Sequence, residues 1–203
     1  MVVEKSREVK LPTRLRTAAF TLACLLTVLA CGLSAPQPPV PSLVASTADA
    51  GAFEQAVGAA ATQAASTGNF SLSVTQEQLS SWLQLKAPQY ARSAGHDWPF
   101  KDIQAGLSNN KITIYGVIDQ QGVPQTPAQI VFTPSVAADG SLAISIDSGQ
   151  VGVVGLPADT LKSVTATIKD TLNQQLARIK NNYHIATLTI ADGQLTIAGS
   201  ITR

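Results

Sequence analysis

From Asp102 onward the chain alternates apolar and polar residues with a period of two, the signature of strands covered on one face. Ile103, Ala105 and Leu107 share a parity, and after Asn109-Asn110 the pattern resumes as Ile112, Ile114, Gly116 and Ile118. The asparagine pair tolerates the left-handed backbone of a tight turn, which predicts a hairpin. Beyond a Pro-containing loop, Ile130, Phe132 and Pro134 lead through Asp139-Gly140 to Leu142, Ile144 and Ile146. Alternation of this kind predicts an antiparallel sheet with one covered and one wet face. The chain closes on a further hairpin, Ile185 to Ile190 and Leu195 to Ile201, around Asp192-Gly193. Gly116 and Gly199, in mid-strand, mark where a sheet can bend.

Elsewhere the period is helical. Asp49 to Thr67 is alanine-rich with a thin stripe of Phe53, Val57 and Ala64, and Gly68-Asn69 ends it. A short strand, Phe70 to Val74, runs into Thr75, three residues ahead of Gln78, a capping-box spacing for a helix faced by Leu79, Trp82 and Leu83. Pro88 is expected to end that helix. The longest helical pattern is Ala158 to Asn181, where Leu161, Val164, Ile168, Leu172, Leu176 and Ile179 form one stripe behind Pro157. At 1.5 Å per residue that helix is about 35 Å long and needs a long concave surface to cover its stripe.

The N-terminus carries a targeting signal. Lys5, Arg7, Lys10, Arg14 and Arg16 precede an uncharged apolar run from Ala18 to Ala30, which is too short for the roughly 30 Å core of a bilayer. Basic leader, short apolar stretch and a small residue at the end read as a secretory signal peptide, residues 1–30. Val28-Leu29-Ala30-Cys31 resembles the bacterial lipobox, which makes Cys31 the expected lipidation site. Leu29 departs from that pattern, where a smaller residue is preferred. The chain is then expected at the extracytoplasmic face of the cell membrane, held by a lipid anchor. More than one acyl chain is needed for stable anchoring. Residues 31–48, proline-rich and uncharged, form a flexible tether, and 49–203 a single domain.

Removing the leader leaves nine of the 14 Lys+Arg and 11 of the 13 Asp+Glu, a net charge of about −2. With no basic block, nucleic acid is not an expected partner. Cys24 and Cys31 are the two cysteines, so the folded part has no disulfide. His96 and His184 lack a second ligand at metal spacing, and no Gly-x-Ser-x-Gly elbow occurs. Gly149 to Gly155 lacks the Lys-Ser/Thr of a phosphate loop and reads as a bulged strand and turn. No catalytic residue, metal or cofactor is expected. Trp82, Tyr90, Trp98 and Phe100 are either core or the mouth of a groove.

Four segments carry a family likeness: Leu72-Ser73-Val74-Thr75-Gln76-Glu77-Gln78-Leu79; Pro134 through Asp139-Gly140-Ser141-Leu142; Val151-Gly152-Val153-Val154-Gly155-Leu156-Pro157; and Ile190 to Gly199. In these the chain resembles tubular lipid-binding (TULIP-like) proteins, and in particular bacterial exported phospholipid-binding lipoproteins of the mannan-elongation-maintenance group. The resemblance covers about Phe70 to Ile201. It implies an α+β fold, a curved antiparallel sheet wrapped around the long C-terminal helix, with helices at the N-terminus. It also implies that the apolar interior holds membrane lipid, a phospholipid or similar acyl lipid. The residues that would line it are Ile112, Ile114, Ile118, Ile130, Phe132, Leu142, Ile144 and Ile146 on strands, and Leu161, Val164, Ile168, Leu172 and Leu176 on the helix. The competing expectation is a solid-cored module that docks an envelope protein.

Overall fold

A computed structural model describes residues 34–38, 42–93, 95, 98–119, 124–159, 162 and 182–202. Ala35–Arg203 forms one compact unit. Its elements run α1 (Thr47–Thr67), β1 (Asn69–Thr75), α2 (Gln76–Leu85), α3 (Ala87–Ser93), β2 (Phe100–Ser108), β3 (Lys111–Ile118), β4 (Thr126–Val136), β5 (Leu142–Val151), β6 (Val154–Gly155), β7 (Asn182–Ala191) and β8 (Gln194–Thr202).

Local chemistry sets the boundaries. Ser46 caps α1, its side chain accepting from the N–H groups of Ala48 and Asp49, and Gly68 ends the helix at φ 77°. Thr75 and Gln78 form the reciprocal capping box that their spacing announces. Pro88 does not end α2; the break falls at Lys86, and Pro88 sits in the first turn of α3. A proline is tolerated there because first-turn N–H groups have no partner inside the helix. Asn109 and Asn110 both hold positive φ, as do Asp192 and Gly193, so two-residue turns of matching twist close both hairpins.

The strands form two sheets rather than one. A three-stranded sheet has the order β1-β8-β7, and a five-stranded sheet the order β2-β3-β4-β5-β6. Strand β1 pairs antiparallel with β8, from Asn69 opposite Ser200 to Thr75 opposite Gln194. The N-terminal strand is thereby removed from the five-stranded sheet. This overturns the expected α+β arrangement of a single curved sheet wrapped around a long C-terminal helix. The last elements of the chain are β7 and β8, and among the described residues no long C-terminal helix occurs. Alternation reports that a segment is a strand but carries no record of its partner, and that is where the expectation failed. Of the expected helix Ala158–Asn181, only Ala158, Asp159 and Lys162 are described; the remainder, with its stripe, lies outside the described residues.

Three hydrogen bonds join the sheets. Asn110 N–H donates to Ile190 O (3.1 Å), Gly193 N–H to Leu107 O (3.0 Å), and Ile185 N–H to Gly140 O (2.8 Å). Two of these bonds join turns of the five-stranded sheet to β7, and the third joins the β7–β8 turn to β2. Helix α2 does the same for the edge of β2. Ser80 Oγ accepts from Ala105 N–H (2.8 Å), and Gln84 Nε2 donates to Ile103 O (2.7 Å). A free strand edge would otherwise be a template for association. The tightest packing lies at this junction, where Val74 and Ile190 are 1% exposed and Leu107 2%.

The bend expected at Gly199 falls where β7 and β8 lose register, between Ile185 and Thr187. A Cβ on Gly199 would run into the carbonyl oxygen of His184 and lie 2.8 Å from the Phe70 ring. Only glycine admits that approach.

Candidate functional site

Strand register gathers the eight expected strand residues on one face of the five-stranded sheet. Ile112 lies opposite Phe132, and Ile114 opposite Ile130. Phe132 lies opposite Ile146, and Val136 opposite Leu142, with Ile144 between them on the same parity. Ile118 follows Ile114 at twice the strand period. All eight are half-buried. A bulge between Val131 and Phe132 absorbs Asp147, so the face stays apolar where β5 would otherwise slip by one residue. The opposite face is mixed: Tyr115 and Gln104 are buried there, 7% and 6% exposed, whereas Asp147 accepts from Thr133 Oγ1 at 2.9 Å and pairs with the exposed Lys111 at 2.7 Å.

At one end of the apolar face the structure holds a cavity of about 380 Å³. Ile114, Ile118 and Ile130 form its floor, and Leu83, Trp98, Phe100, Ile103, Ala128, Val151 and Leu156 contribute further apolar lining. Drug-sized and lipid-tail ligands occupy pockets of about 300–1,000 Å³ lined this way. Among the described residues no charged side chain lines it; the polar lining is Tyr115, Gln129 and Gln150. Gln150 is turned to its own strand end, donating to Gly152 O at 3.0 Å. The Trp98 ring stands edge-on to Phe100, centroids 5.8 Å apart, and its indole N–H is buried with no hydrogen-bond partner.

The other expected residues distribute differently. Ile112, Phe132, Ile144 and Ile146 continue the face away from this cavity, and Leu142 lines a second one. Leu161, Val164, Ile168, Leu172 and Leu176 lie outside the described residues, as does Cys31. The four aromatics split into two groups. Trp82 is packed between Phe53 (5.1 Å) and Tyr90 (5.8 Å) among the helices, whereas Trp98 and Phe100 wall the cavity. Ile103, Val151 and Leu156 were not on the expected lining. Val151 and Leu156 flank the glycine-rich turn at Gly152, φ 58°, where β5 folds back onto β6. Two apolar residues bracketing Gly-x-x-Gly were the available signal for a hairpin wall.

Among the described residues no group of three His, Cys, Asp or Glu could hold a metal ion. His96 is outside the described residues. His184 is exposed, its ring set against Gly140 in the turn after β4. Neighbouring Ser141 donates its hydroxyl to Asp139 at 2.6 Å, which holds that carboxyl below its ordinary range. Among the described residues no helix is long and apolar enough to cross a membrane.

The apolar face and its cavity define the kind of site: a concave surface whose described lining is apolar apart from one tyrosine and two glutamines. No protein-family model matches the chain, and no curated protein or solved structure is found to be similar to it.

Proposed function

We propose that this chain is an exported, non-catalytic lipoprotein, anchored through Cys31, that binds an acyl chain of a membrane phospholipid or similar lipid. The observation that carries this reading is the 380 Å³ cavity over Ile114, Ile118 and Ile130, walled by Trp98 and Phe100 and, among the described residues, free of charged lining. Transfer of a hydrocarbon chain from water to such a lining is favoured by about 25 cal/mol for each Å² of apolar surface covered. The basic leader, the apolar run ending at Ala30 and Cys31 behind it support export and lipidation.

Extraction and mass analysis of lipid co-purifying with the full-length protein tests the reading. Stoichiometric acyl lipid is expected, and Ile130→Trp, which fills the cavity, should abolish it. Protein that carries no lipid and takes none up from phospholipid vesicles would remove the reading in favour of a solid-cored interaction module. Cys31→Ser should release the mature chain from the membrane fraction; retention of that variant in membranes would remove the anchor.

A further inference from the structure

A second apolar cavity, about 410 Å³, lies between α1 and the three-stranded sheet. Val57, Ala60, Ala61 and Ala64 of α1 form one wall, and Phe70, Leu72, Ile185 and Ile197 the other. Among the described residues its lining side chains are uncharged, and Tyr183 brings the one polar group. Water held there would find almost no partners, so the space suits hydrocarbon.

One further lining residue, Leu142, belongs to the five-stranded sheet. Register sets it opposite Val136, on the same face as Ile144, Ile146, Phe132 and Ile130. Ile130 lines the first cavity. The two cavities are therefore the two ends of one apolar track, six residues apart along β4 from Ile130 to Val136, or about 20 Å at strand rise. We propose that the cavity beneath α1 is a second chain site, and that it lodges the second tail of a two-chain lipid whose first tail lies beside Trp98. This rests on the lipid-binding reading above and adds to it the number of tails and the place of the second.

Native mass spectrometry of the full-length protein, released from detergent, reads the number of tails. Dioleoyl phosphatidylcholine and the single-chain lauric acid serve as probes. One diacyl lipid or two lauric acids per chain are expected. Ala64→Leu places bulk in the second cavity and should reduce the lauric acid count to one. It should also weaken the diacyl lipid about tenfold, the loss for expelling roughly two methylenes. Ala128→Leu should do the same from the first cavity. Ala61→Leu repeats the test where Ala64→Leu fails to fold, and the wild-type counts depend on no variant. Two diacyl lipids per chain would overturn the two-tail assignment. So would one lauric acid that Ala64→Leu leaves in place, or one that both fillings expel; each leaves the lipid-binding reading standing. Absence of both probes from the wild type would remove both readings.

Discussion

The junction between the sheets and the far end of the five-stranded sheet are written in the same alternating code, yet they close differently. At the junction Val74, Leu107 and Ile190 are sealed, with α2 laid across the edge of β2. On β3 and β4, beside β2, Ile114, Ile118 and Ile130 are only half-buried and border open volume. Leu107 and Ile112 lie opposite one another, and Ala105 lies opposite Ile114, so core and cavity lining share one face. The difference lies in what is placed over each position. An alternating strand therefore specifies an apolar surface, and the elements packed on it decide whether that surface becomes core or receptor.

Truncation at the two regions should separate them. Leu107→Ala removes a sealed side chain and should lower unfolding free energy by about 2–5 kcal/mol in urea denaturation. Ile130→Ala, at a position already bordering a void, should lower it by under about 1.5 kcal/mol, because most of the cavity term is present beforehand. Equal losses would show that the far end is packed like the junction. Ser80→Ala probes the edge of β2 in the same assay. It strands the buried Ala105 N–H, whose acceptor at 2.8 Å is lost, and should reduce stability by about 1–3 kcal/mol. A loss well below that would mean the edge is not held by α2.

Local features of this architecture were legible because their causes are local. Thr75 and Gln78 are three residues apart and cap the same turn. Asn109-Asn110 and Asp192-Gly193 supply the positive φ their hairpins need. Parity also survived: the eight apolar strand positions share a face although a bulge intervenes at Asp147. The rest depends on contacts across the chain that no local pattern encodes. Phe70 to Val74 reads as a strand, but that it pairs with Leu195 to Gly199 is decided by the closing hairpin arriving beside it. Nothing local marks Ser80, yet it is buried, its hydroxyl accepting from the Ala105 N–H at the edge of β2. Trp98 and Phe100 were legible as candidates for a groove mouth, whereas their separation from Trp82 and Tyr90 required the tertiary arrangement.

A smaller effect tests whether α2 is positioned by its own start. Thr75→Ala removes the hydroxyl that accepts from Gln78 N–H at 3.3 Å and should destabilise the protein by about 1 kcal/mol. Because α2 supplies both Ser80 and Gln84 to β2, Thr75→Ala and Ser80→Ala should together lose less than the sum of their separate effects. Additive losses would show that the cap and the edge contacts act independently.

The smallest effect belongs to the face behind the cavity. Lys111 donates to Asp147 and holds its carboxyl below the ordinary 3.8, with Thr133 Oγ1 lowering it further. A carboxyl whose folded value is depressed binds its proton more readily in the unfolded chain, so folding favours the ionised form. The contribution is full above pH 3.8 and fades as the pH falls from there through the lowered folded value. The pair is partly open to solvent, which keeps its worth within about 1 kcal/mol and makes it sensitive to salt. Asp147→Asn should flatten the acid limb of the stability profile by that amount and leave stability near neutral pH slightly reduced. Lipid binding at neutral pH should be unaffected, since Asp147 faces away from Ile146 and Phe132. Loss of lipid in Asp147→Asn would mean that the two faces of the sheet are coupled through the bulge, and that the apolar face depends on the charge behind it.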